Sequence, residues 1–187
     1  MGDPQGRLTH VDEHGAARMV DVGGKPVTTR TASATGRVLV SPAVVELLRG
    51  EGVPKGDALA VARIAGIQGA KKTPDLIPLC HPLPITGVDV ETVVVDDGVA
   101  ITVTVRTTGR TGVEMEALTG VSVAGLAVID MVKAIDRAAE LTEIRVLAKS
   151  GGRHGSWKRA VSSEGGATTS PELVEGPPPL EPPAIRL

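Results

Sequence analysis

Apolar and polar residues alternate along several stretches of the chain, and each stretch predicts a β-strand. Val27 to Val40 alternates loosely and is rich in Thr and Val. Ile85 to Val95 and Val99 to Thr107 alternate more strictly, and Asp96-Asp97-Gly98 between them reads as a hairpin turn. Leu141 to Ala148 is a last strand. Ser41-Pro42 marks a helix start, with Ser as N-cap and Pro in the first turn, and Gly50 closes that short helix. A second helix begins near Asp57 and runs to about Ala70, where Thr73-Pro74 stops it. Thr111-Gly112-Val113-Glu114 fits a capping box before a long helix that runs to about Glu140. With the first two helices taken together, the order β-α-α-β-β-α-β is the split βαβ arrangement. It predicts an α+β, ferredoxin-like sandwich whose antiparallel sheet carries its helices on one face. The other face would need a cover, which points to a homo-oligomer.

Residues 1–25 are polar and read as an extended N-terminal arm, 26–158 as the ferredoxin-like catalytic domain, and 159–187 as a disordered Pro-rich tail. The chain has no Phe or Tyr and a single Trp, so Val, Ala, Leu and Ile must build its core. Small aliphatic side chains bury less area each, which again favours burial against another subunit. The missing aromatics argue against stacking on single-stranded nucleic acid. Net charge is −2, and without the last 25 residues 19 bases face 18 acids. No global basic field draws in nucleic acid, so any anion site must be local. The single cysteine, Cys80, excludes an internal disulfide and fits a reducing compartment. No charged-then-apolar leader opens the sequence, and no uninterrupted apolar run reaches the roughly 18 residues of a membrane span. A cytoplasmic protein with no membrane partner is expected.

Asp130 and Lys133 stand three apart on the long helix and share a face among apolar neighbours such as Leu126, Ile129 and Val132. They are either a solvated salt bridge or a desolvated proton-transfer pair. Glu114 is either the reciprocal partner of Thr111 in the capping box or a functional carboxylate, whereas Glu116 has no capping duty. Glu116 and Asp130 lie about 21 Å apart along a helix rising about 1.5 Å per residue. One small substrate does not span that distance, so a site using both is shared between subunits. Leu79-Cys80-His81-Pro82 follows Pro78 in a connection. Adjacent Cys and His point different ways in an extended segment, a poor dyad, and two ligands fall short of a structural zinc set. His81 is either a ligand donor or a loop histidine with a local hydrogen bond. Lys55 precedes the helix that starts near Asp57, Lys71 and Lys72 close that helix, Arg30 lies on the first strand, and Lys149-Ser150-Gly151-Gly152 could form an anion-binding turn. Together these bases suggest a phosphate-rich small ligand.

The strings Leu8-Thr9-His10, Met19-Val20-Asp21-Val22, Lys55-Gly56-Asp57 and Ala62-Arg63-Ile64-Ala65-Gly66-Ile67-Gln68 are long and specific. So are Asp75 to Leu83, Thr111 to Thr119 and Lys149 to Gly152. In order and spacing they resemble the molybdenum-cofactor biosynthesis protein C family, the cyclic pyranopterin monophosphate synthases, from about Leu8 to Trp157. The resemblance implies a lyase that converts 3′,8-cyclo-7,8-dihydroguanosine 5′-triphosphate to cyclic pyranopterin monophosphate and pyrophosphate. It implies Asp130, Lys55 and Lys133 as catalytic groups. Leu79, Cys80, His81, Glu114, Met115 and Glu116 fall on substrate-contact segments, and Arg30, Lys71 and Lys149 where phosphate or base contacts are expected. A homohexamer, built as a trimer of dimers with sites between subunits, is implied too. No cofactor is expected, and any Mg²⁺ would arrive with the triphosphate. A ligand-binding regulatory module is the non-enzymatic alternative that this fold permits. A GTP hydrolase is disfavoured because GxxxxGK[ST] is absent.

Overall fold

A computed structural model describes residues 14–50, 53–153 and 155–160. Residues 1–13, the greater part of the expected arm, and 161–187, nearly all of the expected tail, lie outside them. The described elements are β1 (Thr28–Leu39), α1 (Pro42–Arg49), α2 (Ala58–Lys71), α3 (Thr73–Leu76), β2 (Ile85–Val95), β3 (Gly98–Gly109), α4 (Glu114–Val132), β4 (Glu140–Ser150) and β5 (Trp157–Lys158). The sheet order is β2-β3-β1-β4-β5, and every neighbouring pair is antiparallel. This is the expected ferredoxin-like sandwich with one short edge strand added. α4 lies across β1, β3 and β4, and α2 packs beside it against β2.

Alternation decides which sheet face is which. Ala32, Ala34 and Val38 of β1 and Val99, Ile101, Val103 and Val105 of β3 are buried under the helices, where Val121, Ala124 and Val128 of α4 meet them. The largest fully buried side chain is isoleucine and most of the rest are valine, as a chain without Phe or Tyr requires. The opposite face carries hydroxyls. Ser33 and Thr104, register partners, hydrogen-bond side chain to side chain at 2.8 Å, and Thr35 donates to the Ile101 carbonyl at 2.9 Å. On β1 this face is mostly polar, carrying Thr31, Ser33, Thr35 and Arg37, whereas the register partners Val93 and Ala100 add apolar surface toward the β2 edge.

Small residues let α2 and α4 approach closely. A Cβ on Gly69 would lie 2.7 Å from Val123 Cβ, and one on Gly120 2.9 Å from Val103 and 3.2 Å from the Gly66 carbonyl. Gly120→Val should therefore force the helices apart and cost about 3 kcal/mol, the upper range for overpacking. Urea melts measure this, and an unchanged midpoint would contradict the packing.

α2 ends at Lys71, just before Thr73-Pro74 as expected, and that pair opens the single turn of α3. The ends of the elements depart from local expectation in three places. Ser41 sits at the N-cap of α1 yet makes no side-chain cap bond. The capping box does not form: Val113 is the N-cap of α4, without a side-chain cap, and Glu114 turns instead to Lys149. α4 ends at Val132 rather than near Glu140, with Lys133 as its C-cap. By contrast Asp57 caps α2 as expected, accepting from the Ala60 N–H at 2.9 Å. α4 is long and apolar enough to cross a membrane, but more than half of its most apolar 18-residue stretch is buried, as the core helix of this sandwich.

Candidate active site

Two clusters stand at opposite ends of α4. At its C-terminal end Lys55, Asp130 and Lys133 converge. Lys55 Nζ donates to the Asp130 carboxylate at 3.1 Å and to the Asp130 main-chain carbonyl at 2.7 Å, while Lys133 Nζ lies 2.7 Å from the other carboxylate oxygen. Lys55 comes from the turn after α1, where Gly56 N–H bonds the Val53 carbonyl, 75 positions from its partner. The three side chains lie at the solvent edge, with Asp130 57% exposed. The pair is thus solvated in the single chain rather than sunk among apolar neighbours. Hydrogen bonds from Lys133 and then Lys55 hold the Asp130 carboxyl below the usual carboxylate range. Two ammonium groups around one ionised carboxylate can donate protons, accept them, and stabilise negative charge.

The other cluster surrounds the first turn of α4. Lys149 Nζ pairs with Glu114 at 2.7 Å, both half-buried. Arg30 donates to the Gly109 carbonyl at 3.0 Å and the Arg110 carbonyl at 3.1 Å. Gly151 and Gly152 have φ of 88° and 75°, and a Cβ on Gly151 would meet the Thr29 main-chain carbonyl oxygen at 2.2 Å. That conformation and that approach both require glycine. The arrangement gathers Arg30 and Lys149 with the Lys149-Ser150-Gly151-Gly152 turn, which is a local basic patch suited to phosphate.

Glu116 is 3% exposed. Burial, reinforced by the charge of Glu114 and opposed by its own backbone N–H, pushes its carboxyl up to about 7. A carboxyl that titrates near neutrality is able to exchange protons under working conditions. Cys80 lies within reach of this charge, and burial followed by Glu116 raises its thiol pKa, the reverse of an activated nucleophile. The loop carrying half-buried Leu79, Cys80 and His81 is pinned at both ends: Cys80 N–H donates to Ile77 O, and buried Thr107 donates to Pro84 O at 2.7 Å. Met115 projects outward, 38% exposed. Lys71 is joined to neither cluster. It lines a shallow depression of about 380 Å³ with Ile67, Leu83, Ile85 and Thr86, while Lys72 pairs with Asp75 at 3.0 Å. Among the described residues no group of three or more His, Cys, Asp or Glu is arranged to hold a metal.

Thr107 and Asp136 were not marked by the sequence. Thr107 sits in an alternating strand like any other threonine. Asp136 fell inside the apparent long helix, although an Asp two residues before an N–H it can accept is itself a stop signal.

The fold is a ferredoxin-like α+β sandwich, and its two clusters gather the kinds of ionisable group that proton transfer and anion binding use. The chain belongs to the MoaC family, whose model matches residues 19–152. It is 72% identical to the cyclic pyranopterin monophosphate synthase of Streptomyces coelicolor, over 84% of this chain and 93% of the relative. The synthase of Streptomyces griseus is 73% identical over 83% of this chain and 88% of its own length. Cyclic pyranopterin monophosphate synthase 2 of Mycobacterium tuberculosis is 58% identical over 82% and 92%.

Proposed function

We propose that this chain converts 3′,8-cyclo-7,8-dihydroguanosine 5′-triphosphate to cyclic pyranopterin monophosphate and pyrophosphate, by acid/base catalysis at a site shared between two subunits. That it is a lyase of molybdenum cofactor biosynthesis, with cyclic pyranopterin monophosphate synthase activity, follows from its family and from relatives of that name. The reading adds which groups act. Its chief support is the Lys55–Asp130–Lys133 cluster, a carboxylate held ionised between two ammonium groups.

The conversion rearranges a purine ring and closes a cyclic phosphate. The first part moves several protons, and Lys55, Asp130 and Lys133 supply donors and an acceptor for them. In the second, a substrate hydroxyl attacks the α-phosphorus, pyrophosphate leaves, and the hydroxyl proton passes to a base. Arg30 and Lys149 at the other end of α4 are placed to hold the triphosphate, and ligand phosphate would compete with Glu114 for Lys149. Glu116, Met115 and the Leu79–His81 loop line that end, where the substrate's ring system would sit. Any Mg²⁺ would come with the triphosphate. The reading places the enzyme in the cytoplasm.

The two ends lie about 21 Å apart at about 1.5 Å per residue, too far for one substrate in one chain. A second copy related by symmetry brings one end of its α4 to the other end of the first, within a trimer of dimers. Exposed apolar residues supply a reason to associate: Val61, Ile64 and Ile67 form an unpartnered stripe on the outer side of α2, and Ile64 is 69% exposed.

Feeding the cyclic dihydro-GTP intermediate and quantifying pyrophosphate and pterin tests the activity. Wild-type protein that yields neither sinks it. Sharing of the site is tested by mixing Asp130→Asn with Lys149→Met after dissociation and reassembly. Half of random pairs are mixed, and each holds one intact site, so roughly a quarter of wild-type activity should return. Two inactive variants that stay inactive when mixed would refute a shared site.

A further inference from the structure

We propose that Asp136 is a positioning residue for the Lys55–Asp130–Lys133 cluster: its carboxylate staples the turn that begins at Lys133 to the backbone at the start of α1. The inference rests on the catalytic reading of that cluster. α4 ends at Val132, and Lys133 N–H makes the closing bond to Ile129 O at 2.8 Å. The chain then reverses tightly, and the N–H groups of Ile135 and Asp136 both donate to Val132 O, at 2.8 and 2.9 Å. Lys133, Ala134, Ile135 and Arg137 are all exposed, so the turn has little packing of its own.

Asp136 provides what packing does not. It is 9% exposed, one carboxylate oxygen accepts from Ala138 N–H at 2.9 Å, and the other accepts from Ser41 N–H at 2.6 Å. The first bond fixes the exit of the turn. The second reaches 95 positions back along the chain. Ser41 is itself held, because its carbonyl accepts the N–H groups of Val44 and Val45 in the first turn of α1. Beneath the staple, Val44 of α1 packs with Met131 and Val132 of α4 and with Val53 and Ala58, which flank Lys55. One small apolar cluster, apart from the main core, therefore carries Lys55 on one side and Asp130 with Lys133 on the other, and Asp136 closes it. The Ser41 N–H and then the Ala138 N–H hold the Asp136 carboxyl below the usual range, so it stays ionised. Both of its oxygens are committed to backbone donors, which leaves it a fixture rather than a proton carrier. Proton-transfer groups must be held to within about 0.5 Å, so loss of the staple should reduce rate before it unfolds the protein.

Two variants remove the staple from opposite sides. Asp136→Asn keeps the shape but turns an NH₂ donor toward an N–H. Ser41 has φ of −63°, which a proline ring adopts, so Ser41→Pro removes the donor while the backbone keeps its course. Each should lower kcat about tenfold, in line with a misplacement well under 1 Å, and leave KM within about twofold. Crystal structures of both variants should show Lys133 Nζ no longer within salt-bridge distance of Asp130. The inference is overturned if folded variants keep wild-type kcat, if kcat falls only with the folded fraction, or if the variants retain the pair. A variant that fails to fold at all assigns Asp136 to global stability and overturns it equally. Lys133→Met separates this from failure of the underlying reading. Full turnover in Lys133→Met removes the cluster's catalytic role, whereas lost turnover there beside unchanged kcat in Asp136→Asn removes only the staple.

Discussion

Asp130→Asn should lower turnover of the cyclic dihydro-GTP intermediate by about 10³-fold, in the middle of the range for a positioned acid/base group. The melting temperature should barely move. The reason lies in where the carboxylate stands. Asp130 is 57% exposed and its partners Lys55 and Lys133 are 42% and 59% exposed, so its ion pairs are solvated and screened and contribute little to folding. Asparagine keeps the size and one acceptor oxygen, so the Lys55 bond to the main-chain carbonyl of residue 130 survives. What disappears is the charge that holds two ammonium groups together, and with it a proton acceptor. The loss should appear in kcat, since the groups that would hold the triphosphate lie at the other end of α4 and are untouched. Pyrophosphate release and pterin formation should fall together. A variant that melts like wild type and keeps more than a tenth of its kcat would remove Asp130 from the chemistry. One that loses activity in step with stability would assign it a structural role instead.

How much of this was legible in the sequence depends on how far apart the determining residues lie. The β2–β3 hairpin was, because alternation and the Asp96-Asp97-Gly98 turn are local, and every partner from Val88 to Val95 follows in register. The start of α2 was legible for the same reason, since Asp57 binds an N–H three residues on. The Thr111 capping box failed because Glu114 finds an ammonium on β4, 35 positions away, and a charge-assisted bond to Lys149 outcompetes a local one. The end of α4 was missed because Ile135, Ala138 and Ala139 continue a helical pattern. Only the side chain of Asp136, engaged with Ser41 and Ala138, shows why the helix stops. β5 has two residues and no period to read. At the site, Asp130 and Lys133 were paired by their i,i+3 spacing alone. The arrival of Lys55 was not readable from spacing. It depends on Val53 and Ala58 packing against Met131 and Val132, which brings the turn between α1 and α2 to the end of α4.

Glu116 shows the opposite balance from Asp130, and Glu116→Gln should stabilise the protein while impairing it. The Glu116 carboxyl is 3% exposed, and burial raises its pKa from an ordinary 4.5 to about 7. The folded state therefore binds this proton more tightly than the unfolded chain does. Stability from that side chain is fully present below about 4.5 and is lost as pH rises through about 7. Above that, wild type carries the whole cost of burying a charge beside Glu114. A shift of this size corresponds to about 3 kcal/mol, an upper figure because the folded chain relaxes around the charge. Glutamine resembles the protonated acid and cannot ionise. At equal protomer concentration, the variant should match wild type at pH 4.5, gain progressively above it, and level off beyond pH 7. Asp136, whose carboxyl is held low by Ser41 and Ala138, contributes with the reverse sign: its stability is present above the ordinary 3.8 and is lost on acidification below it. Urea melts of wild type and Glu116→Gln across this range measure the gain. A difference that does not depend on pH would mean that Glu116 does not titrate as a buried acid. Turnover completes the case: if a carboxyl kept near neutrality at a cost to the fold serves proton exchange, glutamine should abolish that exchange and lower kcat. A variant that gains stability at pH 8 and also keeps wild-type kcat would show that the burial of Glu116 serves no catalytic purpose.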